Sequence, residues 1–166
     1  GGDWSQDRLV PDLLAAFERK KPIIMRNPQA IRPWQHVLEP LSGYLILAEN
    51  LFSDGNKFSG AWNFGPHDQD AKSVHSIVER LATTWGEGAN WQIDTSPQPH
   101  EANFLKLDIS KAKNYLHWNP RWEVGFAIEK IVDWHKAWLD KSDMRIKCLS
   151  QIDEFLNHTN ANGTLN

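Results

Sequence analysis

A single cysteine, Cys148, stands among the 166 residues, so no internal disulfide framework is possible. One thiol suits a reducing environment and leads us to expect a cytoplasmic protein, with Cys148 itself read as a small buried apolar side chain. Long apolar runs are missing too. None approaches the roughly 20 residues of a membrane-spanning helix, and no secretory signal opens the chain. Positive charge is in short supply, with 18 Lys+Arg against 21 Asp+Glu and a net charge of −3. That balance argues against nucleic acid or a membrane surface as a partner.

The grammar of common active sites is also absent. No Gly-x-Gly-x-x-Gly follows a strand, no Walker loop occurs, and no serine sits in a nucleophile elbow. No two histidines have zinc-ligand spacing, and no carboxylate pair stands out. The seven histidines (His36, His67, His75, His100, His117, His135 and His158) are scattered, so no metal site is expected and no catalytic residue is assigned. On its residues alone the chain reads as a binding half that lacks a reactive half.

Tryptophan is what the chain has in excess. The nine rings (Trp4, Trp34, Trp62, Trp85, Trp91, Trp118, Trp122, Trp134 and Trp138) sit mostly at expected element ends. There a large ring fills a core edge while its one N–H finds a boundary partner. Trp4 and Trp34 lie near the arginines discussed below, which leaves a ligand-facing role open for those two. Short strands alternate with helices and no internal repeat is found, so the expected fold is α/β, with few short strands and several helices. Helices are expected over 9–18, 41–52, 73–85, 126–139 and 143–156, with a brief one capped by Asp108 or Ser110 and running to Leu116. Pro11 and Pro40 fall in first turns, where a missing amide costs nothing. Strands are expected over 22–25, 60–66, 91–93 and 105–107, with 35–37 as a further candidate. Residues 1–156 are read as one domain and the polar 157–166 as a disordered tail. Gly1-Gly2-Asp3-Trp4 opens as a loop with neither methionine nor strand before it, as expected of a piece of something longer.

The stretch 26–44 organises the rest. It links the first strand to the second helix and holds Arg26 and Arg32 six positions apart among prolines that stiffen the backbone. Guanidinium groups on a rigid loop match two phosphate oxygens at once. The alternative reading, ordinary solvated charges or ion-pair partners, stays open at this point. Arg8 lies at or just before the N-terminus of the first helix, where free amides and the helix dipole also favour an anion.

A longer pattern joins these residues. Gly2-Asp3-Trp4, Asp7-Arg8-Leu9-Val10-Pro11-Asp12 and Arg26-Asn27-Pro28 are followed by Ile31-Arg32-Pro33-Trp34-Gln35-His36-Val37-Leu38-Glu39-Pro40-Leu41-Ser42-Gly43-Tyr44. After them come Trp62-Asn63-Phe64-Gly65-Pro66, Pro99-His100-Glu101, Leu105-Lys106-Leu107-Asp108, Ser110-Lys111-Ala112 and Trp118-Asn119-Pro120-Arg121-Trp122. In this order they closely resemble the C-terminal half of the CDP-glucose 4,6-dehydratase family, within the extended short-chain dehydrogenase/reductases (SDR). The resemblance covers nearly the whole chain. Its most specific part is 31–44, since the wider nucleotide-sugar family more usually has Arg-Asp where this chain has Arg32-Pro33.

The resemblance implies a two-part fold that is homo-oligomeric when intact. An N-terminal Rossmann part binds NAD and carries a Tyr-x-x-x-Lys pair, and a smaller C-terminal part binds the nucleotide sugar. Neither tyrosine here supplies that pair, because Ala48 stands four positions after Tyr44 and Asn119 four after Tyr115. This chain is therefore expected to be the substrate-binding part, with the NAD-binding half missing from it. In the family as implied, NAD oxidises the sugar at C4, water leaves across C5 and C6, and hydride returns to C6. The product, CDP-4-keto-6-deoxy-glucose, lies on the route to the dideoxy sugars of bacterial surface polysaccharide, the lipopolysaccharide O-antigen. Carried over residue by residue, Arg8 stands beside the diphosphate with Leu9 close to the base. Ile24, Met25 and Arg26 line the base pocket, and Arg32 grips the diphosphate. Asp68 meets the nucleotide and His100 lies near its ribose and phosphate end. Tryptophans that would pack on the missing half are expected to leave apolar surface exposed. The other readings kept open are a related epimerase or dehydratase using another nucleotide, and a non-catalytic nucleotide-binding or interaction module.

Overall fold

A computed structural model describes residues 4–94, 96 and 103–158. The first helix, α1 (Leu9–Glu18), buries Leu13, Leu14 and Phe17 on one face, as their spacing requires. Arg19 ends it and Lys20, at φ 52°, turns the chain back. The next element, β1 (Ile23–Met25), therefore runs back along the helix and packs on it. It pairs in parallel with β4 (Trp91–Ile93), from Ile23–Trp91 to Met25–Ile93, and the Asp94 amide donates to the Met25 carbonyl at 2.9 Å. The crossover that parallel strands need contains α4 (Val74–Trp85).

A second ribbon pairs β2 (Ile31–Pro33) with β3 (Ala71–Ser73), antiparallel, with Arg32 opposite Lys72. The remaining helices are α2 (Leu38–Ser53), α3 (Gly55–Phe58), α5 (Ser110–Leu116), α6 (Val124–Leu139) and α7 (Met144–Asn157). The expected tail falls almost wholly on 159–166, outside the described residues, and Asn157 closes α7. On that helix Cys148 is half-buried rather than buried, and its Sγ accepts Trp134 Nε1 at 3.2 Å across the α6–α7 contact.

Three expected strands differ. None forms at 35–37, because the His36 carbonyl accepts the Glu39 amide at 3.0 Å and the chain is already entering α2. The ladder uses Ile31–Pro33 instead, and Pro33 is tolerated at its last position. None forms over 60–66, where side chains claim carbonyls that a ladder would use. Lys111 Nζ donates to Ala61 O at 2.9 Å and Gln35 Nε2 to Phe64 O at 2.8 Å, while Gly60 sits at φ 118°. None forms over 105–107 either, where only the adjacent Phe104 makes a single bridge, to Ile31.

Two apolar clusters hold the fold. One joins Leu13, Leu14, Phe17 and Met25 to Ile77, Val78 and Leu81 of α4 and Ile128 and Val132 of α6. The other lies under α2 and gathers Phe58, Phe64, Ile109, Ala112, Leu116 and Trp118. Each fully buried side chain of this size contributes about 1.5–3 kcal/mol. Apolar residues lie on both sides of α2, and Ile46 and Leu47 pack on the second cluster. The helix buries Glu39 and Gly43, while Val37 just before it and its own Leu41, Tyr44, Leu45 and Phe52 face solvent, Phe52 at 95% exposure. Exposed apolar surface is thus found on α2, at Ile146, Leu149 and Leu156 of α7, and at Ile24, Phe104 and Tyr115. Of the tryptophans only Trp4 and Trp138 are exposed.

Candidate functional site

Because β1 runs back along α1, the N-terminus of the helix and the carboxyl end of the strand lie toward one edge. Arg8 occupies the extended N-cap position of α1, exposed, with no cap bond from its side chain, and Leu9 leans on the core. Strand alternation separates the next residues. Ile24 is exposed and Met25 is buried among Leu13, Leu14 and Phe17, while Arg26 projects at the surface just beyond the strand.

Arg26 and Arg32 bracket a loop pinned to the start of α4. Pro28 O accepts the His75 amide and Ala30 O the Val74 amide, each at 2.9 Å, and Ser73 caps the helix through the Ser76 amide. Arg32 is half-buried on β2, and its Nη1 donates to the adjacent carbonyl, Ile31 O, at 2.9 Å. Trp34 Nε1 donates to Lys72 O at 2.9 Å and its ring packs on the core, so it locks the end of the ribbon. Trp4 lies on α6, with its ring 4.5 Å from that of Trp138. Both rings left open for a ligand therefore have structural contacts.

Asp68 opens a 3₁₀ turn (Asp68–Asp70) past the Pro33 end of the ribbon. It is exposed and pairs with Lys106 Nζ at 3.2 Å, and that ammonium also lies 5.5 Å from the centre of the Phe104 ring. Arg32 thus stands between the Arg26 loop at one end of its ribbon and Asp68 at the other. His100 lies outside the described residues. None of these site residues lines the 480 Å³ cavity beside Trp4, Pro11, Asp12, Ala15 and Arg19.

The residues that sequence reasoning missed are buried polar groups. Glu39 has no exposed surface, and its carboxylate accepts the Arg121 amide at 3.0 Å and the Trp122 amide at 2.7 Å. Burial pushes its pKa up, while these amides and the Arg121 charge pull it back. Trp118 Nε1 donates to Ser42 Oγ at 2.9 Å, and Arg121 Nη1 donates to Phe155 O and Leu156 O at 3.1 Å. The segment 118–122 is therefore the joint between α2 and the end of α7. Asp70 is also buried and accepts the Val124 amide at 3.1 Å at the start of α6; burial raises its pKa. Burial takes His36 down to about 4. These groups are enclosed and bonded to backbone, which suits holding the fold and not proton transfer to a ligand.

Among the described residues no group of His, Cys, Asp and Glu could hold a metal ion. The residues after the parallel strands do not fit NAD either. Arg26-Asn27-Pro28 follows β1 and Asp94 follows β4, with no glycine turn to admit a pyrophosphate against the backbone. No helix among the described residues is long and apolar enough to cross a membrane.

Comparison with known proteins gives no matching family model. A curated relative, CDP-glucose 4,6-dehydratase of Salmonella typhimurium, is 52% identical over 159 residues, which is 96% of this chain and 44% of that protein. The matched portion is the relative's C-terminal part. This chain resembles the C-terminal half of CDP-glucose 4,6-dehydratase. It spans less than half the length of that relative. Solved structures agree on the fold. The UDP-N-acetylglucosamine 4-epimerase of Bacillus cereus superposes with a TM-score of 0.61 at 16% identity, over 79% of this chain and 42% of that one. The UDP-glucuronic acid 4-epimerase of Bacillus cereus, solved with UDP-glucuronic acid and NAD, gives 0.66 at 21% identity, over 80% and 40%. The fold is that of the C-terminal part of an extended SDR protein.

Proposed function

We propose that this chain is the substrate-binding portion of a CDP-glucose 4,6-dehydratase and holds the nucleotide diphosphate of CDP-glucose. The observation that carries this reading is the 52% identity to the Salmonella enzyme across 96% of the chain. Physical support comes from Arg32, half-buried on a ribbon locked by Trp34, where a guanidinium is held in place to fork two phosphate oxygens. Arg8 and Arg26 add positive charge at the shared edge of α1 and β1. Leu9 and Ile24 offer apolar contact to the base from that edge, and Met25 backs them from the core. Asp68, beyond the other end of the ribbon, accepts hydrogen bonds from the nucleotide, and His100 serves its ribose and phosphate end.

In the intact protein this portion orients the sugar while the NAD-linked oxidation, loss of water and hydride return take place on residues that this chain does not supply. We further propose that the exposed face of α2 rests against that NAD-binding half, that the intact protein is a cytoplasmic homo-oligomer, and that its product feeds surface-polysaccharide dideoxy sugars. Calorimetric titration of CDP, UDP and dTDP tests the reading. Tightest binding of CDP is expected, and a preference for dTDP or UDP would move the chain to another nucleotide-sugar epimerase or dehydratase.

A further inference from the structure

The side of α7 that meets α6 has its polar groups matched. Lys147 Nζ pairs with Asp133 at 2.7 Å, Lys130 Nζ pairs with Glu154 at 2.6 Å, and Gln151 Nε2 donates to Lys130 O at 2.9 Å. The outer side is built differently. Ile146, Leu149, Ile152 and Leu156 recur along it at helical spacing, at 65%, 54%, 40% and 63% exposure. Arg145 and Asp153 are exposed among them. Neither makes an ion pair among the described residues, and the Asp153 carboxylate accepts Asn157 Nδ2 of its own helix at 3.1 Å. About 12 Å of helix separates the two charges, too far for them to pair with each other.

This order of side chains is complementary to itself. Laid antiparallel on a second copy with Leu149 at the two-fold axis, the helix sets Ile146 against Ile152 and Arg145 against Asp153. The two-fold repeats each of those contacts on the other side of the axis. Leu156 then falls on the turn between α6 and α7, near the exposed Leu139. We propose that the outer face of α7 pairs in this register with the same face of a second copy of this chain. Charge decides the occupant, because reversing the helix on itself brings each unpaired charge to its opposite, a match that an unrelated surface would make only by chance. The proposal gives the homo-oligomer inferred above a named surface and does not depend on the nucleotide reading.

The test is sedimentation of the chain, Arg145→Asp, Asp153→Arg and the double variant over a range of concentrations, with far-ultraviolet circular dichroism as a check on folding. Both substitutions put the sign that the helix dipole favours at their end of α7, so the helix is expected to stay intact. Each single variant sets like charges together twice per dimer and is expected to weaken the dimer roughly tenfold; the double variant restores both pairs and the affinity with them. Equal association of the chain and the single variants would overturn the proposal, and it is the result that association through α2 alone would give, since neither charge lies there. A double variant as weak as the singles would overturn it too. A chain that stays monomeric throughout would overturn it and leave this face to the NAD-binding half, with CDP titration still deciding the nucleotide reading separately.

Discussion

The carboxylate of Glu39 accepts the backbone amide of Trp122 at 2.7 Å across 83 positions of sequence, and it does so without any exposure to solvent. One buried acid at the start of α2 thereby fixes the loop that leads into α6. Removing it strands the amides of Arg121 and Trp122 in the interior. Glu39→Ala is expected to cost about 3 kcal/mol of stability, measured by urea unfolding followed through tryptophan fluorescence. A loss below about 0.5 kcal/mol would show that the joint is held by other contacts.

His36 gives a pH dependence of defined sign. Its folded pKa is about 4 against an ordinary value of 6.5. Above pH 6.5 the ring is neutral in both states and carries no penalty. As pH falls from there, the unfolded chain takes up a proton that the folded chain refuses, so stability declines down to about pH 4, by on the order of 3 kcal/mol. Glu39 and Asp70, both raised by burial, act in the opposite sense, because the folded state then favours the protonated acid. Comparing the chain with His36→Asn isolates the histidine. The difference in urea midpoint should change steadily between pH 6.5 and 4, and a constant difference would contradict the assignment.

Gly43 opposes two effects of known size. Alanine in mid-helix is worth about 1 kcal/mol over glycine. At Gly43, however, an added Cβ would overlap the buried Phe64 ring. Overpacking of this kind costs about 1–3 kcal/mol. Gly43→Ala should therefore lower the thermal midpoint, and a raised midpoint would mean that Phe64 moves aside freely.

The outer face of α2 carries Leu45 at 73% and Phe52 at 95% exposure. Replacing both, as Leu45→Lys with Phe52→Glu, should reduce self-association in sedimentation experiments while changing stability by no more than about 0.5 kcal/mol. Unchanged association would place the sticky surface elsewhere.

Much of the fold was legible because short-range periodicity reports packing faithfully where one face is buried. Residues 9–18 and 91–93 match α1 and β4, and Ser73 and Asp143 cap the helices that follow them. The failures share a cause. Gln35 and Lys111 bond carbonyls of 60–66 from distant positions, and no local pattern shows a side chain taking the place of a strand. Glu39 was visible only as a helix-start residue. It lies one turn before Gly43 on the inward side of α2, where a charged residue in a helical pattern gives no sign of being buried. At the candidate site the arginines could be named from resemblance, whereas the pairing of Arg32 with Lys72 across the ribbon is set by strand register, which no local pattern reports.

Arg32 is the residue on which the nucleotide reading turns, through its grip on the diphosphate of a cytidine nucleotide. Titrating CDP into the chain and into Arg32→Ala tests that role most directly. The substitution is expected to remove about 2 kcal/mol of binding free energy, roughly a thirtyfold loss, with the fold intact. Equal affinity of the two proteins for CDP would return Arg32 to an ordinary surface charge and contradict the reading.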